Sequence, residues 1–237
     1  MQDLRFLVFL LEGVAAISGL YYFKKNPDDK ATGFFAYFLL FTFFVESVGF
    51  FPAIIYWNEE LHFLKQTLWY RTFWLYNPYL VISFIAYILY FKWNISKDKT
   101  RKIINKGLIL YFIICVANLI LTVVFFKSNS SLTYVLGSFF LSGMIFYYYF
   151  EILSSSKILN IKREISFYIS IPALLYFLTT TPIFIYFKYF TGQSPQFVQL
   201  SSLIMITMNI LMYSSYSFAL LWLANKKKTS PENLKVL

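Results

Sequence analysis

Residues 4–23, LRFLVFLLEGVAAISGLYYF, and 33–57, GFFAYFLLFTFFVESVGFFPAIIYW, carry only three charged side chains between them: Arg5, Glu12 and Glu46. A helix rises about 1.5 Å per residue and a bilayer's hydrocarbon core is about 30 Å thick, so runs of about 20 apolar residues match the membrane. Five more stretches read the same way: 72–92, 107–126, 132–153, 165–187 and 197–224. They predict an all-α polytopic membrane protein, a seven-transmembrane helix bundle over 1–224. Residues 225–237 are expected to be a flexible basic tail.

Composition agrees. Of 237 residues, 59% are hydrophobic and only 14% charged, too few charges to cover a soluble domain of this length. Core helices of soluble proteins are shorter and carry a polar stripe. No stretch between spans is long enough for a soluble domain.

The net charge of +10 would suggest a nucleic-acid partner in a soluble chain. Here its distribution sets topology instead. Lys24, Lys25 and Lys30, then Lys92, Lys97, Lys99, Arg101, Lys102 and Lys106, then Lys157, Lys162 and Arg163, then Lys226, Lys227, Lys228 and Lys235 all fall on one side of a seven-span bundle. That is 16 of the 21 basic residues, so this side is expected to be cytoplasmic and the N-terminus outside. An even number of spans would break the agreement. The first span runs into Lys24-Lys25 without a small-residue cleavage site, and a retained helix is expected. Trp57, Trp69, Trp74, Trp93 and Trp222 lie near span ends, as interfacial belts require. Short loops predict antiparallel neighbours.

One external loop has a pattern of its own. Trp57, Leu61, Leu64 and Leu68 recur at helical spacing, with Asn58 as a cap and Glu59 and Glu60 in the first turn. A short interfacial helix is expected, with an extension of a neighbouring span as the alternative.

The chain also resembles itself. Gly13-Val-Ala-Ala-Ile-Ser-Gly19 is matched by Gly137-Ser-Phe-Phe-Leu-Ser-Gly143, and Pro52-Ala-Ile-Ile-Tyr-Trp57 by Pro182-Ile-Phe-Ile-Tyr-Phe187. Asn77 and Ser83 have counterparts in Asn209 and Ser215. This suggests two parallel three-helix units joined by a fourth helix. Proline removes a helix donor, so kinks are expected at Pro52, Pro78, Pro172 and Pro182.

Polar residues inside spans are expensive and normally face the bundle interior. Glu12 and Glu46 lie near mid-span, with no Lys or Arg at their depth. Two readings stand: a proton, cation or amine site, or protonated acids bonded to Ser, Tyr or backbone carbonyls. Asn77 and Asn209 offer donors and acceptors to a small polar ligand, with helix–helix bonding as the alternative. Glu151, near the basic end of the fifth span, is expected to pair with Lys157 or another loop cation. Glu151, Lys162 and Arg163 mark the face that would meet anionic lipid or a cytoplasmic signalling protein. The one cysteine, Cys115, reads as an inert buried thiol, and the one histidine, His62, as solvated. No metal site, cofactor or catalytic residue is expected. The seventh span holds no lysine for a retinal Schiff base, and no phosphate-binding loop or nucleophile elbow is present.

The stretch Tyr147-Tyr-Tyr-Phe-Glu-Ile-Leu-Ser-Ser-Ser-Lys-Ile-Leu-Asn160 with Phe167-Tyr-Ile-Ser-Ile-Pro172 resembles small seven-helix proteins of Bacteroidota. Those look like the membrane sensor modules of signalling proteins. This implies a sensor in a bacterial inner membrane. The three-one-three pattern resembles sugar transporters of the SWEET type, whose Asn residues Asn77 and Asn209 would match. Their Pro-Gln motif is missing from the first helix of each unit, and Pro195-Gln196 lies elsewhere. A sensor with a separate cytoplasmic partner is therefore the leading expectation, and a transporter of a small polar solute or a proton-coupled substrate the second.

Overall fold

A computed structural model of the chain describes residues 2–122, 124–190 and 194–225. The basic tail from Lys226 to Leu237 lies outside the described residues. Among the described residues the helices are α1 Gln2–Lys25, α2 Lys30–Gly49, α3 Phe51–Trp57, α4 Phe73–Asn94, α5 Asp98–Leu121, α6 Val124–Lys127, α7 Ser131–Leu153, α8 Ile165–Phe190 and α9 Pro195–Ala224. No strand occurs among them. Seven spans are long and apolar enough to cross a membrane, with α2 and α3 forming one of them. The chain is a multi-pass membrane protein. Phe44, Ile17, Phe139 and Phe218 stand more than 60% exposed, as side chains facing lipid do.

Local chemistry fixes the ends. Lys24 and Lys25 close α1, where cations complement the helix dipole. Asp29 caps α2, its Oδ1 accepting from the Thr32 backbone N–H at 3.0 Å while its Oδ2 accepts from the Tyr22 hydroxyl at 3.0 Å. One carboxylate thus starts α2 and ties it to α1. Ser130 caps α7, and Ser194 caps α9 with Pro195 in its first turn.

The helices form a closed ring of six spans. α1 packs on α2 and α9, α2 on α4, α4 on α7, α7 on α8, and α8 on α9. The fourth span, α5, lies outside the ring against α4 and α7. Consecutive spans are therefore neighbours throughout, and beside α5 the helices α4 and α7 also meet directly. Close approach depends on small residues at these seams. A Cβ on Gly19 would come within 3.0 Å of the Ala36 Cβ, so this glycine sets the α1–α2 distance.

Several expectations are corrected. The fourth helix begins at Asp98 instead of Gly107, because its basic first turns continue the helix beyond the apolar run. It also stops at Leu121, where Thr122 turns extended. The loop after Trp57 forms a 3-10 helix over Glu59–Gln66 in place of an α-helix. Asn58 does cap it, accepting from the Glu60 N–H at 3.1 Å. In a 3-10 helix residues three apart eclipse, so Leu61 and Leu64 share a half-buried face and Leu68 is exposed. A second 3-10 helix, Ser156–Arg163, was not foreseen. Pro52 accompanies an interruption of the second span, at Phe50 between α2 and α3. α4 runs on through Pro78, and α8 through Pro172 and Pro182. Near Pro182, the Thr180 and Thr181 hydroxyls donate to the Tyr176 and Phe177 carbonyls.

The residues matched in sequence sit in unlike surroundings. Gly13 faces Phe43 of α2, whereas Gly137 faces Phe84 of α4. Gly19 is pressed against Ala36, whereas Gly143 faces open space.

Candidate functional site

The end of the ring that carries the N-terminus encloses a cavity of about 1060 Å³. α1 supplies Arg5, Phe9 and Glu12, spaced four and three apart and so on one helix face. Glu46 comes from α2, Pro52 and Tyr56 from α3, Tyr76 from α4 and Asn209 from α9. The interruption at Phe50 restarts the backbone beside the cavity, and the Pro52 ring becomes part of its wall.

The two intramembrane acids come together here. Glu12 is 5% exposed and close enough to Glu46 to feel its charge. The Tyr76 hydroxyl donates to Glu46 Oε2 at 2.9 Å, and the Tyr213 hydroxyl lies near Glu12. Gly49 makes the first bond possible: a Cβ there would collide with the Tyr76 hydroxyl. Glycine one turn beyond Glu46 thus opens the space through which α4 reaches the carboxyl.

Neither acid has a cationic partner among the described residues. The single ion pair among the described residues is Asp98–Arg101, at 3.6 Å and on the surface. Arg5 lines the cavity without pairing with either acid. An ionised carboxylate buried without compensation costs several kcal/mol, so a proton or a bound cation must neutralise this pair.

Below the acids the ring is filled. Tyr79 donates to Thr42 Oγ1 at 3.1 Å, and the Tyr87 and Tyr216 hydroxyls meet at 3.0 Å. Phe35, Tyr87 and Tyr216 are at most 3% exposed, with the Phe35 ring 5.6 Å from Tyr87 and 5.5 Å from Tyr216. Toward the basic end, Tyr90 meets Ser166 Oγ at 2.9 Å.

Asn77 and Asn209 are not brought together. Asn209 lines the cavity, donates to the Met205 carbonyl at 3.0 Å, and is within reach of Tyr176. Asn77, 1% exposed, serves the link between the fourth and fifth spans. Its Nδ2 donates to the carbonyls of Val124 and Phe125 at 3.2 Å and of Ser128 at 3.0 Å, and its Oδ1 accepts from the Ser130 N–H at 2.9 Å. Asn118 donates to Ser130 Oγ at 2.9 Å in the same link. Irregular backbone within a membrane needs such partners, so Asn77 is a structural hub with no group left for a ligand.

Glu151 holds a loop. Its Oε1 accepts from the Ser96 N–H at 2.5 Å, and Oε2 has no hydrogen-bond partner among the described residues. The side chain thereby anchors the loop between α4 and α5, and its expected pairing with Lys157 falls on a side chain outside the described residues. Lys162 and Arg163 end the second 3-10 helix and are exposed at the basic end.

Sequence reasoning missed Arg5, Gly49, Tyr76 and Tyr213. Arg5 lies seven residues before Glu12 and Gly49 three after Glu46, spacings that share a helix face, and these were the available signals. Comparison with known protein families, characterised proteins and solved structures found no match to this chain.

Proposed function

We propose that this protein is a receptor-like membrane sensor that receives a small ligand in the cavity and signals through a separate cytoplasmic protein. One observation carries the reading. A roomy cavity with paired acids lies at one end of the ring, and large interlocked rings fill the level below it. Ligand pockets are concave, largely apolar and furnished with a few polar groups, and this cavity fits that description. A core packed this tightly changes by discrete repacking, which is how a bound ligand would reach the far end. In this reading the N-terminus is outside, the basic end is cytoplasmic, and the membrane is a bacterial inner membrane. The partner would meet the exposed Lys162 and Arg163 beside the loop anchored by Glu151.

A specific observation keeps transport as the second reading. Asn209 and the helix interruption beside Pro52 both border the cavity, and interrupted helices at a polar site are common in transporters. Counterflow uptake in proteoliposomes, paired with capture of cytoplasmic partners, separates the two. The sensor reading expects a specific kinase-like partner and no flux. Saturable solute flux that is lost in N209A would sink it.

A further inference from the structure

We propose that the cavity takes a small organic ammonium ion, an N–H-bearing cation on an aromatic or aliphatic body, with its head between Glu12 and Glu46. The inference rests on the reading above that the cavity receives a ligand, and it names the class.

The floor decides the charge. Glu12 and Glu46 come from different helices, face the same space, and pair with no cation among the described residues. An ionised carboxyl group has about four lone-pair sites. Each acid has one tyrosine hydroxyl near it, Tyr213 for Glu12 and Tyr76 for Glu46, so acceptor sites remain for an incoming donor. An anion would meet two acids there. A neutral ligand would leave the pair without a counter-charge.

The wall decides the body. Phe9, Phe50, Tyr56, Trp57 and Tyr70 line the space above the acids. Aromatic faces attract cations and bury apolar groups. A hard metal ion asks for about six oxygen ligands, and no group of three or more Asp, Glu, His or Cys occurs among the described residues. The volume of about 1060 Å³ far exceeds an ammonium head and leaves room for a carbon skeleton. Arg5 stands two turns above Glu12 on the same face, about 10 Å along the helix at 1.5 Å per residue, so the two nearer acids outweigh its repulsion of a head seated at the floor.

The test uses the full chain in lipid nanodiscs and four probes: 2-phenylethylamine, n-hexylamine, the neutral 2-phenylethanol and the anionic 3-phenylpropionate. Calorimetric titration is expected to show at least one amine binding tenfold or more tighter than the alcohol and the acid. E12Q and E46Q should each weaken that amine tenfold or more, while E151Q, at the opposite end, leaves it unchanged. Equal or tighter binding of the alcohol or acid, amine binding that survives in the E12Q/E46Q double variant, or no amine binding at all would overturn the ligand class. The sensor reading is judged separately by labelled 2-phenylethylamine in proteoliposomes. Saturable accumulation together with Glu-dependent binding upholds the ligand class and overturns the sensor.

Discussion

Two sets of buried and half-buried polar side chains lie in the same half of the bundle and are satisfied in opposite ways. Asn77 and Asn118 meet backbone: three carbonyls and an N–H for Asn77, and the Ser130 hydroxyl for Asn118. Glu12 and Glu46 meet two tyrosines and an open cavity. Both sets bear the cost of leaving water. The amides recover it within the fold, where they hold an irregular link that a bilayer would not tolerate unpaired. The carboxyls recover it only in part, and the remainder is available to something that enters. Burial alone therefore says little about function. What matters is whether the buried group's partners belong to the chain.

The largest expected effect tests the structural side. N77A strands the Ser130 N–H and takes the amide from the Phe125 and Ser128 carbonyls, and should cost about 2–4 kcal/mol, because orphaned buried groups forfeit their full desolvation energy. It is read as a lower unfolding midpoint in detergent. Loss of under about 0.5 kcal/mol would mean that water or lipid headgroups replace the amide.

G49A comes next. A methyl there must displace the Tyr76 hydroxyl, and overpacking of this kind costs about 1–3 kcal/mol. Unlike N77A, it also disturbs Glu46, so it should impair ligand binding along with stability. Y76F separates the two effects. It removes the bond to Glu46 without the clash, and should cost about 0.6 kcal/mol, a typical value for a membrane helix–helix hydrogen bond. If G49A and Y76F unfold alike, the glycine's role is not the close approach. Y87F, which breaks the bond to Tyr216 below the cavity, should match Y76F in stability and leave ligand affinity unchanged.

The same contrast explains what could be read in advance. Seven spans were legible because hydrocarbon thickness acts on every residue of a run, and composition alone records it. The start of the fourth helix was not, because helix propagation through Asp98–Lys106 does not depend on apolarity. That Glu12 and Glu46 face the bundle interior was legible because burying a carboxyl is costly wherever its helix packs. For Asn77 two readings, a ligand or helix–helix bonding, stayed open for the opposite reason. An amide is content with any neighbour, and its neighbours here are backbone groups 47 to 53 positions away, set by the α4–α6 contact. Arg5, Gly49 and Tyr76 became visible only once three helices were placed around one space.

The most direct test is the unfolding midpoint of the E12Q/E46Q double variant, measured beside N77A without added ligand. The one bond that ties an acid to another helix, from Tyr76 to Glu46, can persist to a carboxamide oxygen, so the carboxamide pair should unfold within about 0.5 kcal/mol of the native chain, or above it, since exchanging uncompensated buried acids for neutral isosteres removes a cost. A fall as deep as that of N77A would contradict the account and make Glu12 and Glu46 structural.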